Sequence, residues 1–397
     1  MAKNDVIPYD WVATKINHWY KAIKNGWVSK AIEMKKEVEE EKENMEENQN
    51  VLLYYQLVRF RHDLMMDYVC PGNTEMQNTA LKDIKNKIQE FQIIEGKGKL
   101  KLLLEYYYQF FAGMFYFRCG ELLSALHYYR QAEKYIDLIE DNDAEVEKAE
   151  FYFKLSEVYY HMKQTHFSMS YAMRAYKIYC EQGKTPNDSE SYGERKVQCQ
   201  FVISGNLQDS MRSEDALKHA YQALEDAKEL DQKEKNKEHL IRKALFNIGI
   251  CYNQEENFDQ AVRFFKESLQ ISEPSNNEFS AKVLFMLSYI KGKLNDIEAA
   301  KFYYQQSKSI AELHNNEVIY KKLNMVKGLF LSFDLSLVRK TFEFFRERKM
   351  YPDMEEYGIS VADFLTEKQE ILGANEFYRW ANEGRKQIKR GEVLYEN

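Results

Sequence analysis

The chain has 397 residues, with 56 Lys and Arg against 63 Asp and Glu and a formal net charge of −7. Such a surface offers no counter-charge to a phosphate backbone, so nucleic acid is not an expected partner. Five prolines and 16 glycines are too few turn formers for an all-β chain, and 30% charged with 14% aromatic residues suits amphipathic helices, so the fold class expected is all-α. The cysteines, Cys70, Cys119, Cys180, Cys199 and Cys251, are odd in number and scattered without a C-x-x-C pair, which argues against a disulfide framework or a zinc ribbon. Met1 to Trp11 lacks the apolar core of a signal peptide. The most apolar stretch, Leu102 to Phe117, is too short for a bilayer and is interrupted by Glu105 and Gln109, so a cytoplasmic chain with no membrane partner is expected.

In chain order, Trp11, Val12, Ile16, Trp19, Tyr20 and Ile23 recur at helical spacing and predict a first helix over Ile7 to Lys24, ended by Asn25-Gly26. A second helix is predicted from about Val28 to Met45, with an acidic stretch over Glu37 to Glu47. A third, from about Asn50 to Tyr68, carries Leu52, Leu53, Leu57, Phe60 and Leu64 and is broken by Cys70-Pro71-Gly72-Asn73. Residues 1–70 therefore read as a three-helix bundle, and residues 71–99 as a connector whose helix covers Thr74 to Phe91.

From residue 100 to 397 the chain repeats itself. Gly113, Tyr116, Ala125, Tyr129 and Ala132 fall at the spacings of a tetratricopeptide repeat, and Gly249, Tyr252, Ala261, Phe265 and Ser268 repeat them. Aligning the second-helix anchors gives Ala125, Ser168, Ala216, Ala261, Ala300, Val338 and Ala374, with a period of 36 to 48 residues and a degenerate copy around Val326, Val338 and Phe342. Small residues let antiparallel helices approach, an aromatic fills the wedge, and each pair buries its remaining apolar face on the next. About seven such pairs predict a right-handed superhelix of tetratricopeptide repeats.

The common enzyme signatures are missing: there is no G-x-S-x-G, P-loop, dinucleotide glycine fingerprint or H-E-x-x-H. His161 and His166 are five apart, which rotates them off one helix face, so no metal site is expected. The polar junction Met45-Glu46-Glu47-Asn48-Gln49-Asn50, followed at once by Val51-Leu52-Leu53-Tyr54-Tyr55, reads by itself as a turn and a helix cap supplied by Asn48 or Asn50.

That same run, with Phe60-Arg61-His62, Leu104-Glu105-Tyr106-Tyr107, Lys148-Ala149-Glu150-Phe151, His161-Met162-Lys163-Gln164-Thr165, Gln198-Cys199-Gln200-Phe201-Val202-Ile203, Asn247-Ile248-Gly249 and Lys389-Arg390-Gly391-Glu392, resembles the Rap family of quorum-sensing regulators over essentially the whole chain. The resemblance implies a three-helix bundle that binds a response regulator and a tetratricopeptide domain that binds a short secreted Phr pentapeptide. It implies phosphatase activity on the receiver's aspartyl-phosphate, with Gln49 at the family's catalytic glutamine and with Mg²⁺ supplied by the receiver. Glu46, Leu52, Leu57 and Phe60 then fall at the response-regulator contact, although the three apolar residues serve equally as bundle core. The family often flanks its glutamine with aspartates, where this chain has Asn48 and Asn50. For the peptide, the resemblance points to Asp209, with Asn206 beside it, and to Asn247. A carboxylate takes an arginine and an amide clamps peptide backbone; the plain alternatives are a helix-end carboxylate and a packing amide.

Two other readings stand beside this one. A protein of the same fold could sequester a transcription factor or mobile-element regulator without chemistry, or the repeats could form a generic scaffold for extended peptides.

Overall fold

The computed structural model describes residues 6–69, 78–86, 99–138, 144–182, 192–230, 236–271 and 278–393. The expected break at Cys70-Pro71-Gly72-Asn73, most of the 71–99 connector, and residues 231–235 of the segment 231–237, whose charged side chains mark it in the sequence as a solvated loop, lie outside them. The described residues are helical throughout, with a lone bridge between Ile7 and Met45 and no strand, so the fold is all-α.

Two units divide the chain, Met1–Val158 and Tyr159–Asn397. The first holds α1 (Tyr9–Lys24), α2 (Val28–Lys42), α3 (Gln49–Val69), α4 (78–86), α5 (Lys99–Arg118) and α6 (Leu122–Glu133), and α7 (Ala144–His161) runs across the boundary. The second continues with α8 (Thr165–Gln182), α9 (Gly193–Asp209), α10 (Ser213–Glu229), α11 (Lys237–Gln254), α12 (Phe258–Gln270), α13 (Glu278–Lys293) and α14 (Ile297–Leu313). It closes with α15 (Glu317–Val326), α16 (Leu335–Glu347), α17 (Tyr351–Glu367) and α18 (Ile371–Val393). The helices from α5 onward alternate as first and second members of the seven hairpins whose anchors the spacing identified.

Each hairpin turns in the same way. The residue five before the second-helix anchor is left-handed: Gly120 (φ 76°), Lys163 (59°), Met211 (57°), Glu256 (57°), Asn295 (58°), Phe333 (48°) and Gln369 (63°). Around Glu256, the Glu255 amide donates to Cys251 O at 3.2 Å and the Asn257 amide to Tyr252 O at 2.9 Å, closing the first helix by satisfying its last carbonyls. The turn between α1 and α2 has this form too, with Gly26 at φ 67°, the Trp27 amide donating to Ala22 O at 3.0 Å and Ala31 buried five residues later. Sequence reading missed this kinship, because Trp19 stands where a repeat carries its small residue.

Small residues permit the close approach that the pattern implied. A Cβ at Gly113 would lie 2.5 Å from the Tyr129 ring, and one at Gly249 would lie 2.7 Å from that of Phe265. Where serine takes the small position, its hydroxyl finds a carbonyl of the partner helix: Ser204 Oγ donates to Ala216 O at 2.9 Å and Ser288 Oγ to Ala300 O at 2.8 Å. Without that partner the buried hydroxyl would oppose packing. In the degenerate sixth hairpin, α15 runs into a π-helical turn, Lys327–Leu331, and a Cβ at Gly328 would meet Asp334 O at 2.6 Å. The extra residue of the π-turn absorbs the register defect that made this copy hard to read.

These contacts separate two kinds of glycine. Gly113→Val overpacks a ring held between Phe110 and Phe151 and should destabilise by about 1–3 kcal/mol. Gly120→Ala meets no atom within 4 Å and pays only for a left-handed backbone. Circular-dichroism melting should therefore show the larger loss of Tm for Gly113→Val; equal losses would contradict the close approach.

Candidate functional site

The start of α3 is built by local hydrogen bonds. Asn48 Oδ1 accepts from the amides of Asn50 (3.1 Å) and Val51 (3.2 Å), so Asn48 is the cap. The preceding segment is pinned to the N-terminal arm, where the Ile7 amide donates to Asn44 O at 2.9 Å and the Glu46 amide to Ile7 O at 2.8 Å. Gln49 is the first residue of α3 and is exposed, as are Glu46 and Glu47. Its Nε2 donates to Glu47 Oε1 at 3.2 Å, an exposed contact that solvent can replace. An uncharged amide thus stands at the positive end of a 21-residue helix, beside backbone N–H groups that Asn48 caps.

Two of the expected contact residues lie elsewhere. Leu57 is 0% and Phe60 2% exposed, the latter with its ring 6.1 Å from that of Phe115, so the alternative reading as bundle core holds for both. Leu52 is half-buried and Glu46 is at the surface.

Several buried polar contacts hold α3 and α1 in place. Trp19 Nε1 donates to His62 Nδ1 at 3.2 Å, and Arg118 donates to the Asp67 carboxylate and carbonyl at 3.1 Å each. Glu147 of α7 is buried and accepts from Tyr20 OH at 2.9 Å and Lys24 Nζ at 3.2 Å. Nothing in the sequence announces this carboxylate, since these two partners lie on a helix more than 120 residues away.

In the second unit, Asp209 closes α9, and Lys163 Nζ reaches both of its carboxylate oxygens, at 2.7 and 2.8 Å. Burial works against the Lys163 ammonium, but Asp209, Tyr160 and Glu356 together outweigh it and hold the pKa above the ordinary lysine value. Asn247 is half-buried on α11, and its side chain makes no hydrogen bond to the described residues. Asp209 and Asn247 lie seven and fourteen residues before their anchors, Ala216 and Ala261, two helical turns apart on the same helix face. α9 and α11 are packed together, with Gln208 Nε2 donating to Cys251 Sγ at 2.8 Å and Gln254 Nε2 to Gln208 O at 3.0 Å. Asn206 corrects the expectation: it is 0% exposed, and its Nδ2 donates to Ser168 Oγ at 2.8 Å, inside the helix packing. Asn206 stands three residues before Asp209, and its side chain faces the helix packing while Asp209 stands at the end of α9.

Among the described residues no three His, Cys, Asp or Glu side chains are arranged to hold a metal ion, and no helix is long and apolar enough to cross a membrane.

This combination defines a class: a capped N-terminal helical unit followed by tetratricopeptide hairpins. Residues 6–67 match the family described as response regulator aspartate phosphatase H, N terminal, and residues 240–312 match the tetratricopeptide repeat family. Response regulator aspartate phosphatase I of Bacillus subtilis (strain 168) is 42% identical over 99% of this chain and 95% of its own length. Response regulator aspartate phosphatase A of the same organism is 37% identical over 100% of each chain. The crystal structure of a Rap protein complexed with competence and sporulation factor superposes with a TM-score of 0.83 at 32% identity, covering 96% of this chain and 99% of that one. The chain belongs to the Rap family of response regulator aspartate phosphatases.

His62 gives the N-terminal unit a defined acid response. Burial, helped by Lys35, pushes its pKa from 6.5 down to about 4. The unfolded chain therefore takes up this proton below pH 6.5, while the folded chain resists it until about pH 4. Stability from this group is complete above pH 6.5 and falls as the pH drops toward 4, by at most about 3 kcal/mol. His62→Gln keeps an acceptor for Trp19 without the titration, so its Tm should depend less on pH across this window; an unchanged slope would clear His62 of the effect.

Proposed function

We propose that the chain binds the receiver domain of a response regulator and hydrolyses its aspartyl-phosphate, and that a short signalling peptide bound to the repeats inhibits it. Residues 1–70 serve the response regulator, 71–99 connect, and 100–397 carry the peptide site. The observation that carries this reading is Gln49, exposed at the capped start of α3 and held only by a surface contact to Glu47.

The receiver brings the acyl phosphate and Mg²⁺, so the chain needs no cofactor of its own. Gln49 Oε1 accepts a hydrogen bond from a water in line with the phosphorus–acyl oxygen bond, and Nε2 donates to a phosphoryl oxygen. The water oxygen bonds to phosphorus as the bond to the aspartyl oxygen breaks. The water's proton passes to the departing phosphate, and the receiver keeps a free carboxylate. Glu46 and Leu52 supply contact around Gln49, while Leu57 and Phe60 support α3 from within. On the repeats, Asp209 receives a peptide arginine in exchange for Lys163, and the open amide of Asn247 takes backbone groups. Response regulators are cytoplasmic, and the proposed work is therefore done there.

Gln49→Ala should slow phosphate release from a phosphorylated receiver panel by about a hundredfold or more while complex formation stays within a few-fold. Equal rates would remove Gln49 from catalysis. Binding without dephosphorylation by the wild type would turn the proposal to sequestration.

Asp209→Ala should abolish inhibition by arginine-bearing pentapeptides and leave response-regulator binding intact. Retained inhibition would put the arginine elsewhere.

A further inference from the structure

The helix face that carries Asp209 and Asn247 continues onto α13, where it holds a lysine without an ion-pair partner among the described residues. Lys282 lies eighteen residues before its anchor Ala300, as Lys243 does before Ala261, and Asn247 is one helical turn beyond Lys243. The Lys282 ammonium stands 4.8 Å over the Phe246 ring, which brings α13 up to the Asn247 segment of α11. The facing charges are already engaged in part: Asp209 with Lys163, and Asp353 of α17 with Lys322 of α15. Among the described residues no carboxylate is within ion-pairing distance of Lys282.

Water reaches Lys282, yet protein crowds its ammonium. That crowding, with Lys322 and Lys243 nearby, lowers its pKa to about 8, while Asp353 and Glu356 offset this only in part. Glu356, also exposed, is itself pushed toward its neutral form by burial. The face thus has an excess of positive charge around Lys282 that an incoming anion would relieve.

We propose that Lys282, with Lys243 beside it, forms a carboxylate-binding subsite that takes the α-carboxylate of the peptide and so fixes the peptide's direction, arginine toward Asp209 and C-terminus toward α13. This rests on the peptide reading above and adds the ligand's second anchor. The span is suitable. Two helix-to-helix steps from α9 to α13 cover about 16–20 Å, and the shift from seven to eighteen residues before the anchor adds about 16 Å along the helices. The diagonal is about 24 Å, which an extended pentapeptide of about 17 Å covers together with the arginine and lysine side chains at its two ends. A longer peptide would overrun the subsite, and a shorter one could not engage both ends.

The test uses the full-length chain and pentapeptide libraries, one with arginine placed at each of the first three positions and one without arginine, each made as free acid and as C-terminal amide. Captured peptides are quantified by mass spectrometry, and circular dichroism checks the fold of each variant. The wild type should enrich the arginine free acids over their amides about tenfold or more. Lys282→Met should bring acid and amide to parity while arginine selection persists, and Lys282→Arg should keep the acid preference. Equal capture of acid and amide by the wild type, or an acid preference surviving in Lys282→Met, would overturn the subsite. So would amides ending in Asp or Glu bound as well as free acids, which would assign Lys282 to a side chain. Loss of arginine selection with acid preference intact would strike only the Asp209 reading, and capture of no peptide would overturn both.

Discussion

The close approach of two antiparallel helices at a small residue is the constraint on which the rest depends. Where Gly113 lies against Tyr129 and Gly249 against Phe265, no room remains for a Cβ, so the helix pair has a single comfortable spacing. The left-handed turn residue five positions before each anchor then fixes the angle at which the second helix leaves the first. Spacing and angle together decide which side chains of the first helix point into the packing and which stand free. Asp209 and Asn247 are available on neighbouring helices because each is held in this common register, and Asn206 is unavailable for the same reason.

The N-terminal unit meets a different demand, since the group proposed to act, Gln49, stands at a helix end. A glutamine at such a position is only as well placed as the backbone beneath it. Asn48 caps the helix, the Ile7 bridge fixes the approach to it, and the Glu147 contacts with Tyr20 and Lys24 bind α1 to α7. Removing one partner from a buried group of this kind costs more than the group adds when complete. Its value is to give α1, and through Trp19 and His62 also α3, one arrangement.

The helices, the seven anchors and a cap at Asn48 or Asn50 were legible in the sequence because each leaves a local signal, namely period, spacing, or a capping residue before an apolar run; the structure chose Asn48. The turn geometry was not, since six of the seven left-handed positions carry Lys163, Met211, Glu256, Asn295, Phe333 and Gln369 where glycine would have marked them. Packing against the following hairpin supplies the energy that a side chain in this conformation loses. Leu57 and Phe60 were ambiguous for another reason: an apolar residue reads alike whether it faces a core or a partner. The Lys163–Asp209 pair joins residues 46 apart on different hairpins, and no spacing rule connects them.

On the proposed reading, that pair also determines what kind of ligand the repeats would discriminate. Asp209 already has both oxygens bonded to an ammonium, so an incoming arginine does not fill an empty site; it exchanges one cation for another and releases Lys163 toward Glu356, whose charge it already feels. The gain from this exchange is the difference between a bidentate guanidinium fork and a single ammonium, smaller than either bond taken alone. A ligand with a neutral residue at this point leaves the original pair intact or breaks it without replacement, and either outcome withholds the gain. On the same reading, Asn247 would offer every extended peptide the same backbone bonds and so supply affinity with little choice among sequences. A preformed ion pair on the first-helix face would therefore favour selectivity over strength, which suits the peptide receptor proposed above.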